Sequence, residues 1–442
     1  MSDKQAVLLI HGIGEQRPME TLRGFVDAVW TKDPAGKNQY AGVHVWSKPD
    51  NVSDSFELRR LTTTQNADGV RTDFYEFYWA HLMQGTKVSH VVAWIRTLIL
   101  RRPGSVPRQL RTAYFVLWIA SLATLGLLLN AAAHNSAKSW ASAFIGIAVI
   151  PVLQWIFTEI VGDAARYLHV APPNIQSRHA IRQAGIKVLQ ALHDRGYERI
   201  VVAGHSLGSV IGYDILTHAW PAFNEGHQTD QGAVGCLDAL EALADDAAAN
   251  LDAVRRAQHE AWQELNSNGN AWRVTDFVTM GSPLAHAEIL LADDAADLRR
   301  KQADRELPTC PPARELISHA NDKRQRFSYF TSLRAGRVLH HAAMFAVTRW
   351  SNLYFPCHAI VGGDVVGGPL APAFGRWIKD IPVASRQRLG CLQHTLYWSG
   401  RGVGDDAPHL RALREAMRMA GGDRAAAGQR KTGHLLRDDP FV

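Results

Sequence analysis

Short apolar runs alternate along the chain with longer segments whose apolar residues recur at helical spacing, and this alternation predicts an α/β fold. Residues 6–10 and 199–203 are brief and apolar, as expected for strands buried on both faces of a parallel sheet. Residues 274–280 predict a third strand, and residues 209–216 predict a helix close after the second. These elements together predict a doubly wound, mostly parallel sheet flanked by helices.

Two long apolar segments interrupt this pattern. Residues 113–133 and 140–161 contain no charged residue before Glu159, and each is near the roughly 20 residues that cross a bilayer. The polar connector 134–139 contains Lys138, whereas several arginines flank the pair on both outer sides. The positive-inside rule then puts both ends in the cytoplasm. We therefore predict a membrane hairpin of two spans, with a buried helix pair or a lid lying in the membrane surface as alternatives.

A second interruption, residues 232–268, carries apolar residues at alternating three- and four-residue spacing. These are Leu237, Leu240, Leu243, Ala247, Leu251, Val254, Ala257, Ala261 and Leu265. The spacing predicts a long amphipathic helix or a helical pair. Such a stripe packs onto the parent domain or, as the alternative, forms a surface for a protein partner.

The interruptions divide the chain into four predicted parts. The first part of the α/β core occupies residues 1–90, and a membrane-associated hairpin occupies residues 91–170. The rest of the core occupies residues 171–410, including the helical insertion. A C-terminal helix and a loosely ordered tail make up residues 411–442.

Composition narrows the function classes. The chain has 442 residues and a net charge of +6, concentrated around the apolar segments and the tail rather than interleaved with aromatic residues. This distribution favours contact with a membrane over binding of nucleic acid. The four cysteines are Cys236, Cys310, Cys357 and Cys391. They show no paired metal-ligand spacing, so we expect reduced thiols, no metal and no cofactor.

The most informative motif is Gly204-His205-Ser206-Leu207-Gly208, which stands between the predicted strand 199–203 and the predicted helix 209–216. A serine at such a sharp turn is lifted clear of the sheet, and the flanking glycines let neighbouring backbone pass close to it. The alternative is a phosphate-binding turn. Such a turn requires a Gly-Lys-Ser/Thr sequence, which this chain does not have here. The motif therefore predicts that Ser206 is a nucleophile.

A serine hydroxyl needs a histidine base, and the histidine needs a carboxylate to fix its tautomer. In this strand-turn-helix context the acid and the base follow the serine in the chain, in that order. We predict Asp364 as the acid, in a glycine-rich loop after the strand-like residues 352–355 and 358–361. We predict His394, at the start of an aromatic segment, as the base.

Alternatives exist for both residues. Asp276 is the rival acid, but it stands near the start of its predicted strand and so at the wrong end of the sheet. Four other histidines remain alternative bases: His286, His340, His341 and His358.

A hydrolase of this kind also needs N–H donors for the oxyanion of the tetrahedral intermediate, and losing one donor typically costs about 3 to 4 kcal/mol. The strand at residues 6–10 is followed by His11-Gly12-Ile13-Gly14, a loop of the type that supplies one donor. We assign this donor to Ile13, with Gly12 as the alternative. The second donor is the N–H of Leu207, directly after the nucleophile.

Three segments, residues 7–16, 201–208 and 279–284, together make the chain resemble the α/β-hydrolase superfamily. Within it, the chain is similar to the lipase-like serine esterases related to the GPI inositol-deacylase family. The resemblance implies a doubly wound sheet and hydrolysis of a carboxylic ester. It does not extend to residues 91–170 or 232–268, so it implies no particular substrate.

The sequence thus predicts a membrane-anchored serine hydrolase acting on a lipid or another apolar ester. Ser206 is the nucleophile, His394 the general base and then acid, and Asp364 the group that orients it. A thioesterase or amidase would use the same residues. The alternative from a different class is a non-catalytic membrane scaffold that keeps the hydrolase fold.

Overall fold

The fold is seen in a computed structural model of the chain. The residues it describes are 4–12, 17–33, 45–53, 57–66, 69–82, 108–134, 136, 140, 167, 172–224, 235–316, 325–331, 334–357, 363–364, 366–383, 391–398 and 404–417.

An eight-stranded sheet forms the centre of the described structure, in the order β12-β11-β6-β5-β1-β4-β3-β2. Its strands are β1 (Lys4–Ile10), β2 (Val45–Pro49), β3 (Arg59–Gln65), β4 (Arg71–Phe77), β5 (Arg199–His205), β6 (Val274–Met280), β11 (Arg349–Tyr354) and β12 (Lys379–Pro382). The strands from β12 to β4 are parallel, whereas β3 pairs antiparallel with β4 and β2 antiparallel with β3. The prediction of a mostly parallel α/β sheet is confirmed.

Two small antiparallel pairs, ten α-helices and five short 3₁₀ or π segments complete the described elements. The pairs are β7 (Glu315–Leu316) with β8 (Gln325–Arg326) and β9 (Ser328–Thr331) with β10 (Arg334–Leu339). The helices are α1 (Glu20–Val26), α2 (Arg108–His134), α3 (Pro172–Asp194), α4 (Leu207–Asn224), α5 (Gly235–Asp245), α6 (Leu251–Ser267), α7 (Ala287–Leu290), α8 (Ala295–Ala303), α9 (Ala371–Phe374) and α10 (Pro408–Met417).

Hydrophobic cores lie on both faces of the sheet. In β1, Ala6, Leu8 and Ile10 join the core beneath α3 and α4, whereas Val7 and Leu9 join the core beneath α1 and α10. Successive side chains of a strand point to opposite faces, so a strand covered on both sides must be apolar throughout. This explains the unbroken apolar runs of β1 and β5.

The segment predicted as an amphipathic insertion forms α5 and α6 within the described residues. Asn250 ends the break between the two helices, because its side chain accepts hydrogen bonds from the N–H groups of Asp252 and Ala253. Leu237 and Val254, one from each helix, are fully buried in the larger core. The apolar stripe therefore packs onto the sheet domain.

The first predicted membrane span, residues 113–133, lies within α2. Five apolar side chains at three- or four-residue spacing on this helix are each at least half exposed: Phe115, Ile119, Leu122, Leu125 and Leu129. The second predicted span, residues 140–161, lies outside the described residues apart from Trp140. Within the ranges given above, no helix combines the length and apolar content needed to cross a bilayer.

Some other predicted elements lie partly or wholly outside the described residues. The strand predicted at residues 358–361 and the tail from residue 418 lie outside the described residues. The predicted C-terminal helix corresponds to α10, which ends at Met417. Arg414 on α10 donates to the carbonyl of Ala28 and so joins this helix to the segment after α1.

Candidate active site

Ser206 occupies the turn between β5 and α4 with a left-handed backbone, at φ 51°. An added Cβ at Gly208 would collide with the Ile10 carbonyl, and one at Gly204 would collide with the backbone of Ser209. Only glycine fits at either position, which is the physical reason for the spacing of the motif. The predicted strand-turn-helix geometry is therefore present, with the serine at the carboxyl edge of the sheet.

The structure brings together the three residues predicted from the sequence. His394 Nε2 lies 2.8 Å from Ser206 Oγ, and His394 Nδ1 lies 2.9 Å from Asp364 Oδ2. The ionised carboxylate only accepts, so Nδ1 carries the hydrogen and Nε2 is left to accept the proton of the serine hydroxyl. This is the tautomer that a general base requires.

Asp364 is buried and fully provided with donors. The Tyr397 hydroxyl donates to Oδ2 at 2.7 Å, the N–H of Val366 donates to Oδ1 at 2.9 Å, and Gly367 adds a further N–H. Burial by itself raises the pKa of this carboxyl, but His394 and these hydrogen bonds outweigh it and hold the pKa at about 2. The carboxylate therefore stays ionised beside the base at neutral pH.

Glycines make room for the carboxylate. A side chain at Gly281, which follows β6 with φ 57°, would meet Asp364, His394 and Tyr397. A side chain at Gly367 would press on the same carboxylate oxygen. The segment after β6, which carries part of the resemblance, thus shapes the space between acid and base.

His205, within the motif itself, supports the base in a way that the sequence did not predict. Its Nε2 donates to the main-chain carbonyl of His394 at 2.8 Å, and its ring packs edge-on to Trp398. Burial, with the nearby His394, lowers the pKa of His205 to about 3, so this imidazole is neutral. A neutral ring held in this way positions His394 without competing for its proton.

The predicted oxyanion loop begins against the nucleophile. A Cβ on Gly12 would lie 2.9 Å from the Cβ of Ser206, so the loop backbone passes directly over the serine. His11 Nδ1 donates to the Gly12 carbonyl at 2.8 Å, and its ring stacks on Trp79. Burial lowers the pKa of His11 to about 4. His11 is thus a neutral support for the loop.

Of the two predicted N–H donors, Leu207 lies within the described residues and the first choice for the loop donor does not. Leu207 opens α4, where the first N–H groups of a helix have no partner within the helix, so its N–H is available to an oxyanion. Ile13, the first choice for the loop donor, lies outside the described residues. Gly12, the alternative, is described and lies beside Ser206.

The rival acid has another role. Asp276 pairs with Arg349 at 2.8 Å and with Arg199 at 2.9 Å, and β6 places it opposite Val201, toward the amino end of β5. It is therefore part of a buried ion-pair cluster at the opposite end of the strands from Ser206.

Among the described histidines, His394 is the one hydrogen-bonded to Ser206. His340, by contrast, bonds to the carbonyl of Ala313 and the N–H of Ala342. His358 lies outside the described residues. Two contributors were missed: His205, which directly precedes Ser206, and Tyr397, which stands three residues after His394. Only their long-range contacts reveal what they do.

The arrangement can deprotonate a hydroxyl, hold the resulting imidazolium against a carboxylate, and return the proton to a leaving group. The chain matches no protein-family model, no curated protein and no solved structure. Within the described ranges, no group of three or more histidine, cysteine, aspartate or glutamate side chains is placed to hold a metal ion. The geometry of Ser206, His394 and Asp364 is consequently the feature that points to a function.

Proposed function

We propose that the protein is a serine hydrolase that cleaves carboxylic esters with apolar acyl groups at a membrane surface. The observation that carries this proposal is the continuous relay from Ser206 Oγ through His394 to Asp364, with distances of 2.8 and 2.9 Å. The α/β sheet with the serine at its carboxyl edge also fits the resemblance to the α/β-hydrolase superfamily.

Each step of the reaction has a residue suited to it. His394 Nε2 takes the proton of Ser206 as Oγ attacks the ester carbonyl, and the carbonyl oxygen becomes an oxyanion near Gly12 and the N–H of Leu207. The tetrahedral intermediate collapses, the C–O bond to the alcohol breaks, and His394 gives its proton to the departing oxygen. Water then attacks the acyl-serine with the same base, releasing the carboxylic acid and restoring the Ser206 hydroxyl.

Location at a membrane is supported by α2. Its exposed side presents Phe115, Ile119, Leu122 and Leu129, and Trp118 on the same helix is 37% exposed. Exposed apolar patches of this extent mark interaction sites, and tryptophan is favoured at the membrane interface. In the sequence, basic residues precede this helix, which suits a surface of anionic headgroups.

Labelling with a fluorophosphonate probe tests the catalytic proposal. The wild-type protein and Ser267→Ala, a control that removes an exposed hydroxyl from α6, should both form the covalent adduct. Ser206→Ala should form none and should lose hydrolysis of ester substrates. Labelling that persists in Ser206→Ala, or a wild-type protein that neither labels nor hydrolyses any ester, would refute the proposal and favour the scaffold alternative.

Flotation with lipid vesicles tests the membrane proposal. The full-length protein should float with vesicles of mixed neutral and anionic phospholipid, and the double variant Ile119→Glu/Leu122→Glu should stay with the soluble fraction. Ala303→Glu, on an exposed position of α8, is the matched control and should float like the wild type. Equal flotation of the wild type and the double variant would contradict a membrane role for this face.

A further inference from the structure

We propose that a cavity of about 610 Å³ beside the oxyanion loop binds the acyl chain of the substrate. This inference rests on the proposed ester hydrolysis by Ser206 and names its substrate class as esters of medium or long fatty acyl groups. The cavity lies between the end of β4 and one side of α3. Its walls include Phe77, Tyr78, Leu82, Ala180, Ala184 and Val188.

Part of the cavity wall lies at the same edge of the sheet as Ser206. Gly204 of β5 pairs with Ile10 of β1, and Ile10 pairs with Phe77 of β4, so Phe77 stands level with the strand end that carries Ser206. Adjacent strands are about 4.8 Å apart, which puts the cavity wall roughly 10 Å from the serine. An acyl group attached at Ser206 would have to be an extended chain to enter the cavity.

A continuous set of contacts joins the two places. Gly12 passes directly over Ser206, the His11 side chain is bonded to the Gly12 carbonyl, and the His11 ring contacts the ring of Tyr78 at 5.2 Å. Tyr78 is itself part of the cavity wall. The cavity therefore begins immediately beyond the residues that support the oxyanion loop.

The chemistry of the walls fits a hydrocarbon chain. The buried part of the lining is apolar and includes Phe77, Val188 and Leu58. The polar lining residues are less buried: Ser53 is partly exposed, and Glu57, His81, Gln183 and Lys187 are exposed. The volume lies within the range of about 300 to 1,000 Å³ that is usual for small-molecule sites. Polar atoms of a headgroup would lack partners against the buried apolar part of the lining, so an alkyl chain is the part of an ester that fits there. In this arrangement the acyl chain would occupy the cavity while the ester carbonyl lies beside Gly12.

A series of p-nitrophenyl esters from acetate to palmitate, in a fixed detergent concentration, tests the proposal. Each methylene that enters the cavity should raise kcat/KM by up to about fourfold, until the chain fills the available length. Ala184→Phe and, separately, Ala180→Phe place a ring in the cavity. Each should lower the ratio of long-chain to short-chain kcat/KM by about tenfold or more. Ala303→Phe, on the exposed end of α8, should leave that ratio unchanged.

Direct binding gives a second measurement that does not depend on turnover. Full-length Ser206→Ala should bind a fluorescent fatty acid, and adding Ala184→Phe or Ala180→Phe should weaken that binding by about tenfold or more. Circular dichroism identifies any variant that fails to fold. An unchanged chain-length profile in a folded cavity variant, or equal fatty-acid binding with and without the added ring, would overturn the inference. If the wild-type protein shows no Ser206-dependent hydrolysis of any ester, the proposed function is instead overturned.

Discussion

Replacing Glu76 with glutamine removes a buried carboxyl whose ionisation opposes folding, so the variant measures the effect of that ionisation on stability. Glu76 lies on β4, is 1% exposed, and accepts a hydrogen bond from the N–H of Met19 at 2.9 Å through Oε2. Its other oxygen, Oε1, has no hydrogen-bond partner among the described residues. Burial raises the pKa of Glu76 from 4.5 to about 7, although the bond from Met19 acts in the opposite direction.

The size and sign of the effect follow from this shift. A rise from 4.5 to about 7 corresponds to about 3 kcal/mol of difference in free energy between the two protonation states. Because the folded state favours the protonated carboxyl, its contribution to stability is complete below pH 4.5 and is lost as the pH rises through about 7. When the pH is raised from about 5 to about 8, the ionisation of Glu76 should therefore lower the free energy of unfolding by about 2 kcal/mol.

Urea unfolding of the wild type and Glu76→Gln at these two pH values measures the effect. Glutamine cannot ionise but retains an oxygen for the Met19 N–H. The variant should gain about 2 kcal/mol over the wild type on going from about pH 5 to about pH 8. Glu20→Gln removes an exposed carboxylate at the start of α1 and is the control. If the difference between Glu76→Gln and the wild type is the same at both pH values, the reasoning about burial is wrong.

Three further predictions concern the active site. Asp364→Asn should lower kcat by about 10⁴-fold in ester hydrolysis, because an amide stabilises the wrong tautomer of His394; a loss below tenfold would contradict its role. Tyr397→Phe should lower kcat by about tenfold, from the loss of one charged hydrogen bond. An unchanged kcat in Tyr397→Phe would contradict this role. Gly12→Ala should lower kcat by about 10²-fold with little change in KM, as its methyl group displaces the loop from Ser206, and unaltered kcat would exclude Gly12 from the oxyanion site.

The parts of the fold that the sequence predicted are those with strong local signals. β1 and β5 are buried on both faces, so their apolar runs are unbroken, and the turn at Ser206 needs glycine on both sides. The chain order of nucleophile, acid and base then limited the search to the part of the sequence after the serine. The glycine requirement at the turn and the known order of acid and base after the serine were together sufficient to select Ser206, Asp364 and His394 as candidates.

The strands β2, β3 and β4 were not predicted, because polar residues interrupt the apolar pattern that identifies a buried strand. β3 and β4 contain threonine, arginine and acidic residues, and Arg60 of β3 pairs with Asp73 of β4. β11 begins at Arg349, three residues before the predicted strand, since the Arg349 guanidinium is neutralised by Asp276 on the neighbouring strand. An ion pair between strands appears in the sequence only as two charges far apart.

Two contacts outside the relay of Ser206, His394 and Asp364 hold its residues in place. The Tyr397 hydroxyl donates to Asp364 and accepts the N–H of Phe355, which fixes the acid to the end of β11. His205 fixes the backbone of His394 from the residue next to the nucleophile. His394 is thereby held with Nε2 2.8 Å from Ser206 Oγ and Nδ1 2.9 Å from Asp364 Oδ2. In the proposed hydrolase, folding would therefore meet the entropic cost of aligning acid, base and nucleophile, and substrate binding energy would remain for placing the ester carbonyl beside Gly12 and excluding water.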